Sequence, residues 1–237
     1  VPVLLLCYGD PAAKDLLRKA IDARYAINPP VVDALKISFK GKTQVKVGPV
    51  KSWVPLDVTA HFKFPTQMRW DFVAKPMGLP VRRGIESLSH DVYRSNRNNN
   101  TPEVIDDPIL IVSARRRLWS IAALLLTPIS DTHIKLTAMG ARSFEALNTK
   151  LNDAVTVHLR DDHTLERVES RCYNPETETQ QTFALHISEE QEPVGDFMLP
   201  KKISVHWDDT PSFEMEAKDT VSNPTLSEAL FDLSEDI

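Results

Sequence analysis

The chain has 237 residues, 42% of them hydrophobic and 26% charged, a balance that supports one large core and excludes a disordered or low-complexity protein. The formal charge is −5 and the lysines and arginines are spread along the chain, so no phosphate-neutralising arm is read and nucleic acid is not an expected partner. Two cysteines, Cys7 and Cys172, supply neither a disulfide framework nor a multi-thiolate metal site.

Val1 to Cys7 reads as the truncated apolar part of a secretory leader, which implies export. A lipoprotein signal would place an acylated cysteine at Cys7, although Leu6 stands where such signals take a small residue. Residues 1–9 are therefore expected to be a leader remnant or disordered N-terminus, and residues 10–237 a single domain. Asp10-Pro11 then offers an N-cap and a first-turn proline to an amphipathic helix. Ala13, Leu16, Leu17, Ala20, Ile21 and Tyr25 share one face of it, and Asn28-Pro29-Pro30 stops it.

From Leu35 to Leu88 the period changes to two. Val58, Ala60, Phe62 and Phe64 alternate with Thr59, His61 and Lys63, and Met68, Trp70 and Phe72 alternate with Gln67, Arg69 and Asp71. These are half-buried antiparallel strands joined by turns such as Gly48-Pro49 and Lys75-Pro76-Met77-Gly78. The polar stretch from Ser95 to Pro102 reads as a surface loop or mobile linker. Asp106-Asp107-Pro108 opens a second helix that runs to about Leu126 and is apolar through most of its circumference, so it must be covered on more than one side. Arg115-Arg116-Arg117 interrupts that stretch, which excludes a transmembrane helix, and reads first as the helix's solvated side, with a phosphate or anionic-lipid contact as the alternative. Period two returns at Ile134–Ala138, Val155–Leu159, Phe183–Ile187, Ile203–Trp207 and Phe213–Ala217, for about ten strands in all.

The sequence has no G-x-S-x-G, H-E-x-x-H, C-x-x-C or G-x-G-x-x-G. His158 and His163 fall five apart across a turn, a poor spacing for a metal, and the acidic pairs at 106–107, 161–162 and 208–209 sit where short carboxylates bond to turn backbone. No catalysis, metal or cofactor is expected. An envelope hydrolase would need convergent polar groups of perturbed pKa in one cleft.

Four phrases occur in order around the apolar helix. They are Phe64-Pro65-Thr66-Gln67-Met68-Arg69-Trp70, the run from Arg160 through Asp161-Asp162-His163-Thr164 to Val168, Gly195-Asp196-Phe197-Met198-Leu199-Pro200 on to Ile203, and the tail from Lys218 through Asn223 to Phe231. In that order they resemble the LolA-like superfamily of periplasmic lipoprotein carriers and outer-membrane lipoprotein-sorting-like proteins, over roughly residues 11 to 233. The resemblance implies an α+β fold in which an antiparallel sheet curls into an open half-barrel, with helices covering its concave face. It also implies an exported, periplasmic or cell-envelope protein that buries a lipid, a lipoprotein acyl group or another apolar ligand. The residues expected to line the cavity are Phe62, Trp70, Phe72, Leu118, Trp119, Ile121, Leu125 and Trp207. The alternative is a non-catalytic scaffold or sensor whose half-barrel is filled by its own side chains and which acts through an envelope protein partner.

Overall fold

The computed structural model describes residues 5–25, 29, 31–47, 49–76, 82–96, 101–194 and 197–234. The first helix, α1 (Pro11–Tyr25), starts where Asp10 Oδ1 accepts a hydrogen bond from Ala12 N at 3.0 Å. Its buried residues are Ala13, Leu16, Leu17, Ala20, Ile21 and Tyr25, the face that the spacing gives. Asn28 and Pro30, which should stop it, lie outside the described residues. Structure begins before Asp10: Leu6 N and Cys7 N donate to Ser130 O at 2.9 and 2.8 Å, and β1 (Tyr8–Gly9) lies parallel to a later strand. Cys7 is 1% exposed, and burial raises the pKa of its thiol. In the folded chain that side chain is part of the core, and residues 1–4 of the leader reading lie outside the described residues.

One limb of the fold is β2 (Ala34–Val47), β3 (Val50–Lys63), β4 (Gln67–Ala74), β5 (Arg82–Ser89), β6 (Val92–Ser95) and β7 (Glu103–Ile105). Helix α2 (Pro108–Leu124) follows, then a short 3-10 turn at Thr127–Ser130. The other limb is β8 (Ile134–Gly140), β9 (Ser143–Asn148), β10 (Asp153–Leu159), β11 (Leu165–Asn174) and β12 (Thr179–Ile187). A two-stranded flap, β13 (Gln191–Val194) and β14 (Phe197–Pro200), precedes β15 (Lys202–Trp207), β16 (Thr210–Ser222) and the short α3 (Glu228–Phe231).

Fourteen of these strands form one sheet in the order β1-β8-β9-β10-β11-β12-β15-β16-β2-β3-β4-β5-β6-β7, which is open at both edges. It is antiparallel except where β1 meets β8, and β16 joins the two limbs by pairing with β2. The expected ten strands therefore fall short of the sixteen among the described residues. The difference lies mainly in pieces of two to four residues, β1, β6, β7, β13 and β14, which are too short to display a period.

Asp107 caps α2 by accepting from Ile109 N at 2.9 Å, and no residue of the helix beyond Ile109 is exposed. α2 lies against β10 and β11, yet it also reaches β5 and β6. In a flat sheet β5 and β10 would be eight strand spacings apart, about 38 Å, whereas a helix is about 10 Å across. The sheet must therefore bend round the helix. Two residues of α1 secure the far end of α2: Arg24 Nη1 donates to Leu124 O, and Tyr25 Oη donates to Leu125 O at 2.9 Å. These are carbonyls that the end of a helix leaves without intrahelical partners.

The arginine run is not the solvated side of α2. The side chains of Arg115, Arg116 and Arg117 are 17%, 30% and 18% exposed. Arg115 Nε and Arg116 Nε contact the carboxylate of Asp153 on β10 at 2.5 and 3.2 Å, and that carboxylate is fully buried. Arg117 pairs with Glu86 on β5, and Arg115 Nη1 reaches Asp91, in the β5–β6 turn, at 3.6 Å. Because strands of both limbs reach the helix, its arginines meet acids from each, where a helix on an open surface would present them to water.

Candidate functional site

The interior phase of the central strands converges below the C-terminal half of α2. Leu35, Ile37 and Phe39 of β2, Val58, Ala60 and Phe62 of β3, and Val205 of β15 are all buried on that side. Phe62 meets Trp70 edge to face at 5.1 Å between ring centroids, and Trp70 stacks on Phe39 at 6.5 Å. Between these rings and Ile121, Leu124 and Leu125 of α2 there is a gap of about 60 Å³. Every described residue that lines it is apolar, including Phe183 and Leu185 of β12 and Leu199 from the flap. Pockets that hold drug-sized ligands run to roughly 300–1,000 Å³, so in this conformation the protein's own side chains fill most of the site.

Of the eight residues expected to line a cavity, Phe62, Trp70, Ile121 and Leu125 come together at this gap. Leu118 and Trp119 are 0% and 2% exposed in the core, and Trp119 Nε1 donates to Ala146 O of β9 at 3.4 Å. Phe72 lies one step along β4, with its ring over Gly84, where an added Cβ would be 2.4 Å from the ring. Trp207 is half-buried against Phe183, with ring centroids 5.2 Å apart. The lining that sequence reasoning missed includes Leu35, Ile37 and Phe39. Their alternation with Lys36, Ser38 and Lys40 is the signal that marks them.

The opposite face of the sheet carries an open trough of about 720 Å³, bordered by Lys40, Lys42, His186, Lys202, Ser204 and Glu214. Beside it Ser204 Oγ lies 2.8 Å from His206 Nε2, and the His186 and His206 rings are 4.3 Å apart. Burial lowers the pKa of both imidazoles, which keeps them neutral near pH 7. A serine beside a neutral histidine is half of a nucleophilic site. The strand that carries both residues, β15, is paired on each side, and its backbone amides serve the ladders with β12 and β16 rather than a substrate oxyanion. Among the described residues no three His, Cys, Asp or Glu side chains group as metal ligands, and no helix is long and apolar enough to cross a membrane.

No family model and no curated protein matches the sequence. Solved structures do match the fold. A LolA superfamily protein from Nitrosomonas europaea superposes with a TM-score of 0.51 at 10% identity, covering 92% of this chain and 96% of that one. A DUF1329 family protein from Desulfovibrio piger superposes with a TM-score of 0.52 at 10% identity, covering 95% and 99%. At that identity the likeness is one of architecture: the chain has the fold of the LolA superfamily protein, as the four sequence phrases led one to expect.

Proposed function

We propose that this chain is an exported envelope protein that takes a lipid, a lipoprotein acyl group or another apolar ligand into a half-barrel cavity between the bent sheet and α2. The observation that carries the reading is the all-apolar gap enclosed by Phe62, Trp70, Ile121, Leu125 and their neighbours. A gap of about 60 Å³ is the closed form of such a site, and a ligand enters when α2 moves off the strands. Each methylene that enters contributes about 0.8 kcal/mol. The LolA-like fold supports this assignment.

The small size of the gap also favours a second reading, in which the half-barrel is permanently self-filled and the protein works by contacts with an envelope partner. Native mass spectrometry of detergent-free protein, followed by organic extraction, separates the two. A stoichiometric apolar adduct that is lost in Ile121→Glu, with far-ultraviolet circular dichroism unchanged, supports ligand binding. Protein that carries no adduct and gains no thermal stability from added fatty acids or phospholipid overturns it in favour of the second reading.

A further inference from the structure

The β2–β3 ribbon outruns its neighbours. β16 pairs with β2 from Leu35 to Thr43, and β4 pairs with β3 from Leu56 to Lys63. Among the described residues the two strands pair only with each other from Gln44 to Val47, so an arm projects about 13 Å, four residues at roughly 3.3 Å each. Residues 34–56 hold five lysines and no acid, in a chain whose net charge is −5.

Spaced through the sequence these lysines look scattered, but strand alternation gathers them. Lys36, Lys40, Lys42 and Lys46 share one face of β2, and the register puts Lys51 opposite Lys46 and Trp53 opposite Gln44 on that same face. Near the sheet the charge is compensated: Lys42 Nζ is 2.9 Å from Glu214, and Lys40 is in register with Asp57 and Glu216. At the tip, among the described residues, no acid pairs with Lys46 or Lys51. These two exposed lysines face each other directly, an arrangement that destabilises a ribbon standing alone. The other face of the arm mixes Val45, Val54 and the 59% exposed Val50 with Thr43 and Ser52, while Trp53, on the lysine face, is 36% exposed with Lys42 Nζ 4.7 Å from its ring.

We propose that this arm docks the protein on an anionic lipid bilayer, with Lys46 and Lys51 at the level of the phosphates and the Val50 tip and Trp53 in the interface. A polyanion would satisfy the lysines but leave the exposed valine tip without a role. A bilayer accepts both, because lysine meets its negative surface and tryptophan favours its interfacial layer. The arm lies outside the gap under α2, so docking and ligand uptake are separable.

The test is co-sedimentation of the full chain with vesicles of phosphatidylcholine, alone or mixed with phosphatidylglycerol. Partition is expected on the mixed vesicles only, falling as salt rises. The double substitution Lys46→Gln, Lys51→Gln should weaken it about thirtyfold, at about fivefold per lysine near an anionic surface. That variant should melt at the same or a higher temperature, since it relieves a like-charge pair. Absence of partition, or partition that the double variant leaves unchanged, overturns the proposal. So does vesicle binding that survives Val50→Ser with Trp53→Ser while heparin competes fully, because charge alone would then explain it. The adduct in native mass spectrometry is measured without vesicles and should be the same in all arm variants, so failure of this proposal does not mimic failure of ligand binding.

Discussion

Asp153→Asn removes the negative charge against which two arginines of α2 are packed. Its carboxylate is 0% exposed and accepts from Arg115 Nε at 2.5 Å and from Arg116 Nε at 3.2 Å. An asparagine keeps one acceptor but turns an amide N–H toward the second guanidinium, so a bond is lost and two donors confront each other. Removing one partner of a buried pair costs about 3–5 kcal/mol. Arg115 keeps Leu151 O at 3.2 Å and Arg116 keeps Arg171 O at 2.9 Å, which places the expected loss at the low end, about 3 kcal/mol. For a chain of this length that is a fall in Tm of roughly 6–12 °C. Urea unfolding followed by circular dichroism, with an unchanged m-value, is the measurement. Asp15→Asn, which breaks the exposed Lys19–Asp15 pair, should leave the transition unmoved. A loss below about 1 kcal/mol for Asp153→Asn would be that of a hydrated surface pair and would refute the burial of the Arg115–Arg116–Asp153 cluster between α2 and β10.

Three further outcomes are expected. Gly41→Ala would set a Cβ 2.0 Å from Glu214 O, and since that atom is backbone in the β16 ladder the strands must part, at about 3 kcal/mol by chemical denaturation. Tyr25→Phe removes one of two donors to Leu125 O, leaving Thr127 N at 2.8 Å, and should cost about 1 kcal/mol, with amide exchange at the end of α2 accelerating first. On acidification, stability should fall. Burial lowers the pKa of His61, His186 and His206 below the unfolded value near 6.5, so the unfolded chain binds more protons. Their contribution is complete above about pH 6.5 and is lost as pH drops through that value, and His186→Gln with His206→Gln should flatten the dependence of Tm on pH. A Tm that rises between about pH 7 and 5.5 would contradict it.

What the sequence disclosed was whatever has a long period. The α1 face and the apolar helix at 108–124 were legible because burial on one side, or on all sides, leaves a mark of ten residues or more. β11 was concealed by polar residues on its buried phase. Ser170 and Asn174 point inward with Val168 and Cys172, because Ser170 meets Ser120 at 2.8 Å and Asn174 Nδ2 meets Gln181 at 2.7 Å. The arginine run was misread for a related reason: charge beside apolar residues signals solvent unless acids converge on it, and Glu86, Asp91 and Asp153 come from strands far away in sequence. The lysine face of the β2–β3 arm was hidden by register, which no local pattern fixes. Half of the expected cavity residues met at the gap. The others shared the right phase, but phase says which side of a strand is buried, not which part of that side is left unfilled.

How α2 is held suggests which way the site opens. On the β10–β11 side it has the Asp153 pair, Ser113 Oγ to Tyr173 O at 3.0 Å, and Ser120 to Ser170. On the β5–β6 side it has Arg117–Glu86 and a 3.6 Å contact to Asp91, whose side chain is 84% exposed. Movement away from β5 and β6 therefore separates one largely buried ion pair and hydrates both of its charges, at about 1.5–3 kcal/mol, and a ligand offsets that at about 0.8 kcal/mol per methylene. On the proposed function, affinity for saturated fatty acids should rise log-linearly with chain length, and roughly the first two to four methylenes serve only to open the site. Glu86→Gln weakens that hold beforehand. It should shift the line toward shorter chains by up to about that many carbons and leave its slope unchanged, since the slope reports burial in the same apolar cavity. Displacement of a fluorescent fatty acid across a chain-length series reads both quantities. A changed slope with a fixed intercept would mean that Glu86 shapes the cavity and does not gate it, and the β5–β6 side would then not be the door.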